Sequence, residues 1–226
     1  MIELAVLDIA GTTIEEHGAV YVALEEAVRD AGGDPGPDDI RRWMGSGKRE
    51  AITALLAGGS GAEPEPALVD RAFAGFRARL EAAYAERPPA PLPGVPEAIA
   101  ALRAGGVKVA LTTGFDRDVT GALLARVGWD DGVLDAVVCV DDVAAGRPAP
   151  YMIFRAMELT GVRDVGRVLT AGDTVRDLQA GTNAGAAVVA GVLSGSQDAT
   201  ALGAVRHTHL IGSVADLPAL LSLTPA

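Results

Sequence analysis

From Gly94 onward, short apolar runs alternate with stretches of helical periodicity. Val107–Thr112, Val168–Ala171 and Ala187–Val192 read as buried strands, and Ala136–Val140 is a further candidate. Helices are predicted over Val95–Ala104, Arg117–Val127, Pro150–Thr160 and Val175–Ala184. This alternation predicts right-handed crossovers and a parallel sheet, hence an α/β fold. An earlier apolar run, residues 2–7, ends at Asp8 and the turn Gly11-Thr12-Thr13. Parallel sheets bind ligands at the carboxyl ends of their strands. Asp8, Thr113 and Asp173 all fall at such ends.

Residues from about 16 to 88 break the alternation. They read as helical throughout, over Val20–Ala31, Asp38–Met44, Lys48–Leu56 and Pro66–Ala85, with Gly-Pro breaks between. The spacing predicts a helical unit inserted after the first strand. Its connectors lie near Thr13–His17 and in the proline-rich stretch Arg87–Gly94, which is stiff.

Hydrophobic residues make up 49% of the 226, enough for a sizeable core, but only 4% are aromatic, so aliphatic side chains must fill it. The net charge of −11 argues against nucleic acid and anionic lipid as partners. The single cysteine, Cys139, rules out an internal disulfide and fits a reducing compartment. No secretion signal or membrane span is read, so a cytoplasmic location is expected.

Asp8, Asp173 and Asp177 form the first candidate cluster. Three carboxylates at neighbouring strand ends repel one another unless a cation joins them, and an all-oxygen set suits magnesium. Singly, each reads as a turn, cap or helix-surface residue. Thr113-Gly114 offers a hydroxyl and a backbone N–H near a helix start, and Arg147 supplies a cation before the next helix. Trp43 and Trp129 read as packing residues, and His207 and His209 as a strand edge.

The segments LDIAGTT, LTTGFDR, AGRPAP and AGDTVRDLQAGTNAG, in this order, resemble the haloacid dehalogenase superfamily. The resemblance implies a Rossmann-like core of residues 1–15 and 89–226, with an all-helical cap over 16–88. It implies Asp8 as nucleophile, with Asp8, Asp173 and the Ala10 carbonyl as magnesium ligands and Asp177 orienting metal-bound water. Thr113 and Arg147 would hold phosphoryl oxygens, with Gly114, Thr12 and Met44 near the substrate. The expected partner is a small phosphorylated or phosphonate substrate, with a homodimer left open.

Phosphatases of this superfamily carry an acid two residues after the nucleophile, where this chain has Ala10. Such an acid contributes roughly 100- to 10,000-fold. The phosphonatase branch has alanine there, and DIAGTT, DDVAAGRP and GDTVRD resemble its motifs. MGSGK resembles its segment bearing a Schiff-base lysine, which makes Lys48 the candidate amine. Only two of the 19 lysines and arginines are lysines, Lys48 and Lys108. Arg41, Arg42 and Arg49 are expected to depress the Lys48 pKa. GSGK is no phosphate-binding P-loop, because Arg42 and Arg49 occupy positions that need Gly and Ser or Thr. Gly18, Ala51 and Phe115 depart from the phosphonatase pattern of cysteine, histidine and tyrosine. The leading expectation is C–P bond hydrolysis through Asp8 and Lys48. The alternative is phosphoester hydrolysis without Lys48. Dehalogenation is disfavoured, since it needs neither magnesium nor the acidic cluster, and a ligand-binding role without turnover would leave the intact nucleophile unexplained.

Overall fold

The computed structural model describes residues 1–58 and 62–223. Its main sheet has six parallel strands in the order β5-β4-β1-β6-β7-β8. These are β1 (Leu4–Asp8), β4 (Lys108–Thr113), β5 (Ala136–Cys139), β6 (Val168–Gly172), β7 (Val188–Val192) and β8 (His209–Ile211). The strand starting at residue 2 in the sequence reading starts at Leu4 and takes in Asp8; the other strand and helix limits move by at most two residues. His209 opens the edge strand β8, while His207 bonds the Val205 carbonyl.

Side chains alternate across β1, and both faces are buried. Ala5 and Leu7 join the cluster that holds Val95, Ile99 and Leu102 of α5 (Val95–Ala104) and Leu123 of α6 (Arg117–Arg126). Leu4 and Val6 join the opposite cluster, with Met152, Ile153 and Ala156 of α7 (Tyr151–Thr160) and Ala180 of α8 (Val175–Ala184). Burial on two faces explains the continuous apolar runs, which lack a polar face. Short helices α9 (Ala199–Gly203) and α10 (Leu217–Leu220) complete the sheet's flanks.

Residues 14–15 (β2) and 90–91 (β3) pair antiparallel, Ile14 with Pro91 and Glu15 with Ala90. The two connectors therefore run side by side as a ribbon. Between them lie α1 (Ala19–Asp30), α2 (Pro37–Arg42), α3 (Lys48–Ala57) and α4 (Pro66–Glu86). On α4, Val69, Ala72, Phe76, Leu80 and Tyr84 form one buried stripe at helical spacing, and on α1 Val20, Ala23, Leu24, Ala27 and Val28 form the facing one. The α1 start is held by Glu16, whose carboxylate accepts the Val20 N–H at 2.8 Å.

Candidate active site

Strand register brings the chemistry together. Asp8, the last residue of β1, lies opposite Thr112 of β4, while its neighbour Leu7 lies opposite Ala171 of β6. Gly172 ends β6, so Asp173 emerges beside Asp8. One carboxylate oxygen from each of Asp8, Asp173 and Asp177 lies within 4.8 Å of the other two, and all three residues are buried.

Arg147 is the cation at the centre. Its Nη1 is 2.6 Å from Asp8 Oδ1 and its Nε 2.9 Å from Asp177 Oδ1. Its Nη2 donates to the Thr112 carbonyl at 2.9 Å and to the Thr112 hydroxyl at 2.8 Å. The guanidinium has five N–H donors, so these contacts leave it little to offer a ligand. It thereby links the end of β1, the end of β4 and the first turn of α8. A buried ion pair of this kind is costly to break, about 3–5 kcal/mol, because removing one partner strands the other's charge.

Burial raises the carboxyl pKa values of Asp173 and Asp177, and the Asp8 charge pushes both further up, partly offset at Asp177 by Arg147. Asp173 is fixed by Ser196, whose N–H and hydroxyl both donate at 2.7 Å, and by the Thr12 hydroxyl at 3.3 Å. Asp177 closes a capping box with Thr174 at the start of α8, accepting from the Thr174 N–H at 3.1 Å and from its hydroxyl. An all-oxygen, self-repelling set with one guanidinium among it fits a hard divalent cation of the magnesium kind.

A small cavity, of about 20 Å³, opens on this cluster, lined among others by Asp8, Ala10, Tyr21, Lys48, Thr113 and Phe115. Gly114, Arg147 and Asp173 line it too. Lys48, the first residue of α3, is 6% exposed, and its Nζ donates to the Ser46 carbonyl at 3.1 Å. That Nζ lies 5.6 Å from the Tyr21 ring centre and 5.7 Å from that of Phe115. Burial pushes the Lys48 amine down from 10.5 to about 8, against the pull of Asp8, with Arg147 adding to the depression. Arg41, Arg42 and Arg49 play no such part: they are exposed and pair with Asp38, Asp39 and Asp70. Sequence proximity misled here, because all three lie at the surface with carboxylate partners of their own.

The Thr113 hydroxyl accepts the Phe115 N–H at 3.1 Å, which leaves its own proton to donate. Thr12 uses its hydroxyl on Asp173 and does not line the cavity. Met44 is half-buried beside Gly45, which does line it. Sequence reading missed Tyr21, Ser196, Thr112 and Glu16. In so aromatic-poor a chain, an aromatic just past a connector was the one available signal for Tyr21.

The profile of the haloacid dehalogenase-like hydrolases matches residues 2–185. The chain belongs to that family. Among its relatives, this hydrolase is 33% identical over 210 residues to phosphonoacetaldehyde hydrolase of Bacillus cereus, covering 87% of this chain and 78% of the relative. It is 28% identical over 215 residues to phosphonoacetaldehyde hydrolase of Paraburkholderia xenovorans, covering 91% and 80%. A phosphonoacetaldehyde hydrolase-like protein from Oleispira antarctica superposes with a TM-score of 0.81 at 22% identity, covering 98% of this chain and 91% of that one. That likeness speaks for the fold; the sequence matches place this hydrolase in the phosphonatase-like branch. No described helix of this hydrolase is long and apolar enough to cross a membrane.

Proposed function

We propose that this hydrolase cleaves the C–P bond of a small carbonyl-bearing phosphonate, with Asp8 as nucleophile and Lys48 as amine. The observation that carries the reading is the Lys48 amine, buried in the same cavity as Asp8 and lowered to about 8 by its burial. A lysine so placed is neutral often enough at physiological pH to condense with a carbonyl, which an arginine cannot do.

The reaction then runs in balanced steps. The Lys48 amine adds to the substrate carbonyl and water leaves, giving an iminium. An Asp8 oxygen attacks phosphorus. The C–P bond breaks, and its electron pair moves onto the carbon–nitrogen system as an enamine. The enamine takes a proton on carbon and hydrolyses, which frees Lys48 and a carbonyl product. Water opens the aspartyl phosphate and releases phosphate. Carbon leaves as an enamine carbon, not as an alkoxide, so no acid is needed where Ala10 stands.

Arg147 aims the attacking carboxylate, and the Thr113 hydroxyl donates to a phosphoryl oxygen. Asp8, Asp173 and the Ala10 carbonyl would hold magnesium, with Asp177 reaching it through water. When bound, that ion supplies positive charge that offsets repulsion between the phosphoryl oxygens and the Asp8 carboxylate. Residues 16–88 would act as a cap that closes on the core of residues 1–15 and 89–226, excluding water from the site.

Borohydride in the presence of a carbonyl-bearing phosphonate should trap a covalent adduct on Lys48, read by peptide mapping. Lys48→Arg should give no adduct and no phosphate. Undiminished phosphate release by Lys48→Arg would overturn the reading in favour of a phosphoester hydrolase that does not use Lys48.

A further inference from the structure

Arg176 lies in the first turn of α8, next to Asp177, and has no part in the chemistry above. It is half-buried, and among the described residues it pairs with no carboxylate. Its contacts are instead to backbone carbonyls on two sides of the cleft. Nε and Nη2 donate to the Arg42 carbonyl at 3.4 and 3.3 Å, and Nη1 donates to the Arg147 carbonyl at 3.2 Å. The guanidinium also lies over the Trp43 ring, 4.9 Å from its centre.

Both ends of this bridge lead to reacting groups. Arg42 and Trp43 close α2, and the Trp43 carbonyl accepts the Ser46 N–H at 3.3 Å and the Ser46 hydroxyl at 2.6 Å. The Ser46 carbonyl in turn takes the Lys48 Nζ. On the other side, the Arg147 side chain grips Asp8. A side chain on Gly45 would collide with Thr174, so this turn rests directly on the start of α8. A guanidinium suits the place, because a planar fork can stack on an indole while donating in several directions, as an ammonium cannot.

We infer that Arg176 is a positioning residue, which sets the spacing between the Lys48 amine and the Asp8 carboxylate by tying the Trp43–Ser46 turn to the Arg147 loop. The inference rests on the proposed use of Lys48, but the tie itself can be read without any substrate. In a Trp129→Phe background Trp43 is the sole tryptophan. There, Arg176→Ala should raise acrylamide quenching of Trp43 fluorescence about twofold, with circular dichroism unchanged. With phosphonoacetaldehyde as probe, Arg176→Ala and Arg176→Lys should both lower kcat at least tenfold, with a smaller effect on KM. Unchanged quenching in Arg176→Ala would overturn the tie. Raised quenching with kcat unchanged, or full rescue by Arg176→Lys, would overturn the positioning role. If the wild type does not turn over phosphonoacetaldehyde, the C–P reading of that compound fails, while the quenching result still decides the tie.

Discussion

The Lys48 N–H donates to the Gly114 carbonyl across 3.3 Å, so the helix that carries the amine begins against the turn that ends β4. A Cβ on Gly114 would meet the Ser46 carbonyl closer than side chains approach backbone. Gly114→Ala should therefore push the Ser46–Lys48 turn off the core while sparing the sheet beneath it. A displacement near 1 Å costs on the order of 100-fold in rate. Phosphate release should fall by about that factor with little change in melting temperature. Retained activity would show that the turn shifts without moving the amine.

Asp8→Asn keeps shape and removes the attacking charge. Turnover should fall below detection, and beryllium fluoride should no longer form an adduct at this position, as judged by mass and by protection from heat. Circular dichroism should stay native-like. Substantial turnover in this variant would point to direct attack by water.

Magnesium should stabilise the folded chain, because three buried carboxylates share the site with one guanidinium. An ion at 100 times its dissociation constant adds about 2.7 kcal/mol. The melting temperature should rise with magnesium and return with a chelator. Asp173→Asn should abolish that rise. A melting temperature indifferent to magnesium would sink the assignment of these residues as ligands.

The Lys48 amine has its folded-state pKa lowered from 10.5 to about 8 by burial. The unfolded chain then binds more protons between those two values. Stability from this group therefore rises with pH through that window, and the penalty is complete below about 8. The stability of the wild type relative to Lys48→Met should accordingly rise between about pH 8 and pH 10.5, by on the order of 3 kcal/mol. In the wild type, kcat/KM for a carbonyl-bearing phosphonate should climb about tenfold per pH unit up to about 8 and then level. A profile flat from pH 6 to 9 would remove the neutral amine from the mechanism.

Much of the site was legible in one dimension because strand ends are. Asp8, Thr113 and Asp173 each close an apolar run, and a parallel sheet gathers such ends on one edge. Lys48 was legible only through its resemblance to a family motif; its periodicity alone reads as a solvated helix start. Its burial depends on the Ser46–Lys48 turn meeting Gly114, a contact between segments 66 residues apart that no local pattern encodes. The depressed amine was expected for the wrong reason, since Arg41, Arg42 and Arg49 are satisfied at the surface and desolvation does the work instead.

By itself the sequence determined the α/β core and marked the helical stretch between the two connectors, because hydrophobic period and turn residues act over a few positions. Only the tertiary structure decided that Arg147 grips Asp8, Asp177 and Thr112 at once, that Ser196 and Thr12 hold Asp173, and that Tyr21 and Phe115 flank the amine. Those relations set charge and desolvation, which depend on distance in space between residues far apart in the chain, and spacing along the chain does not carry that distance.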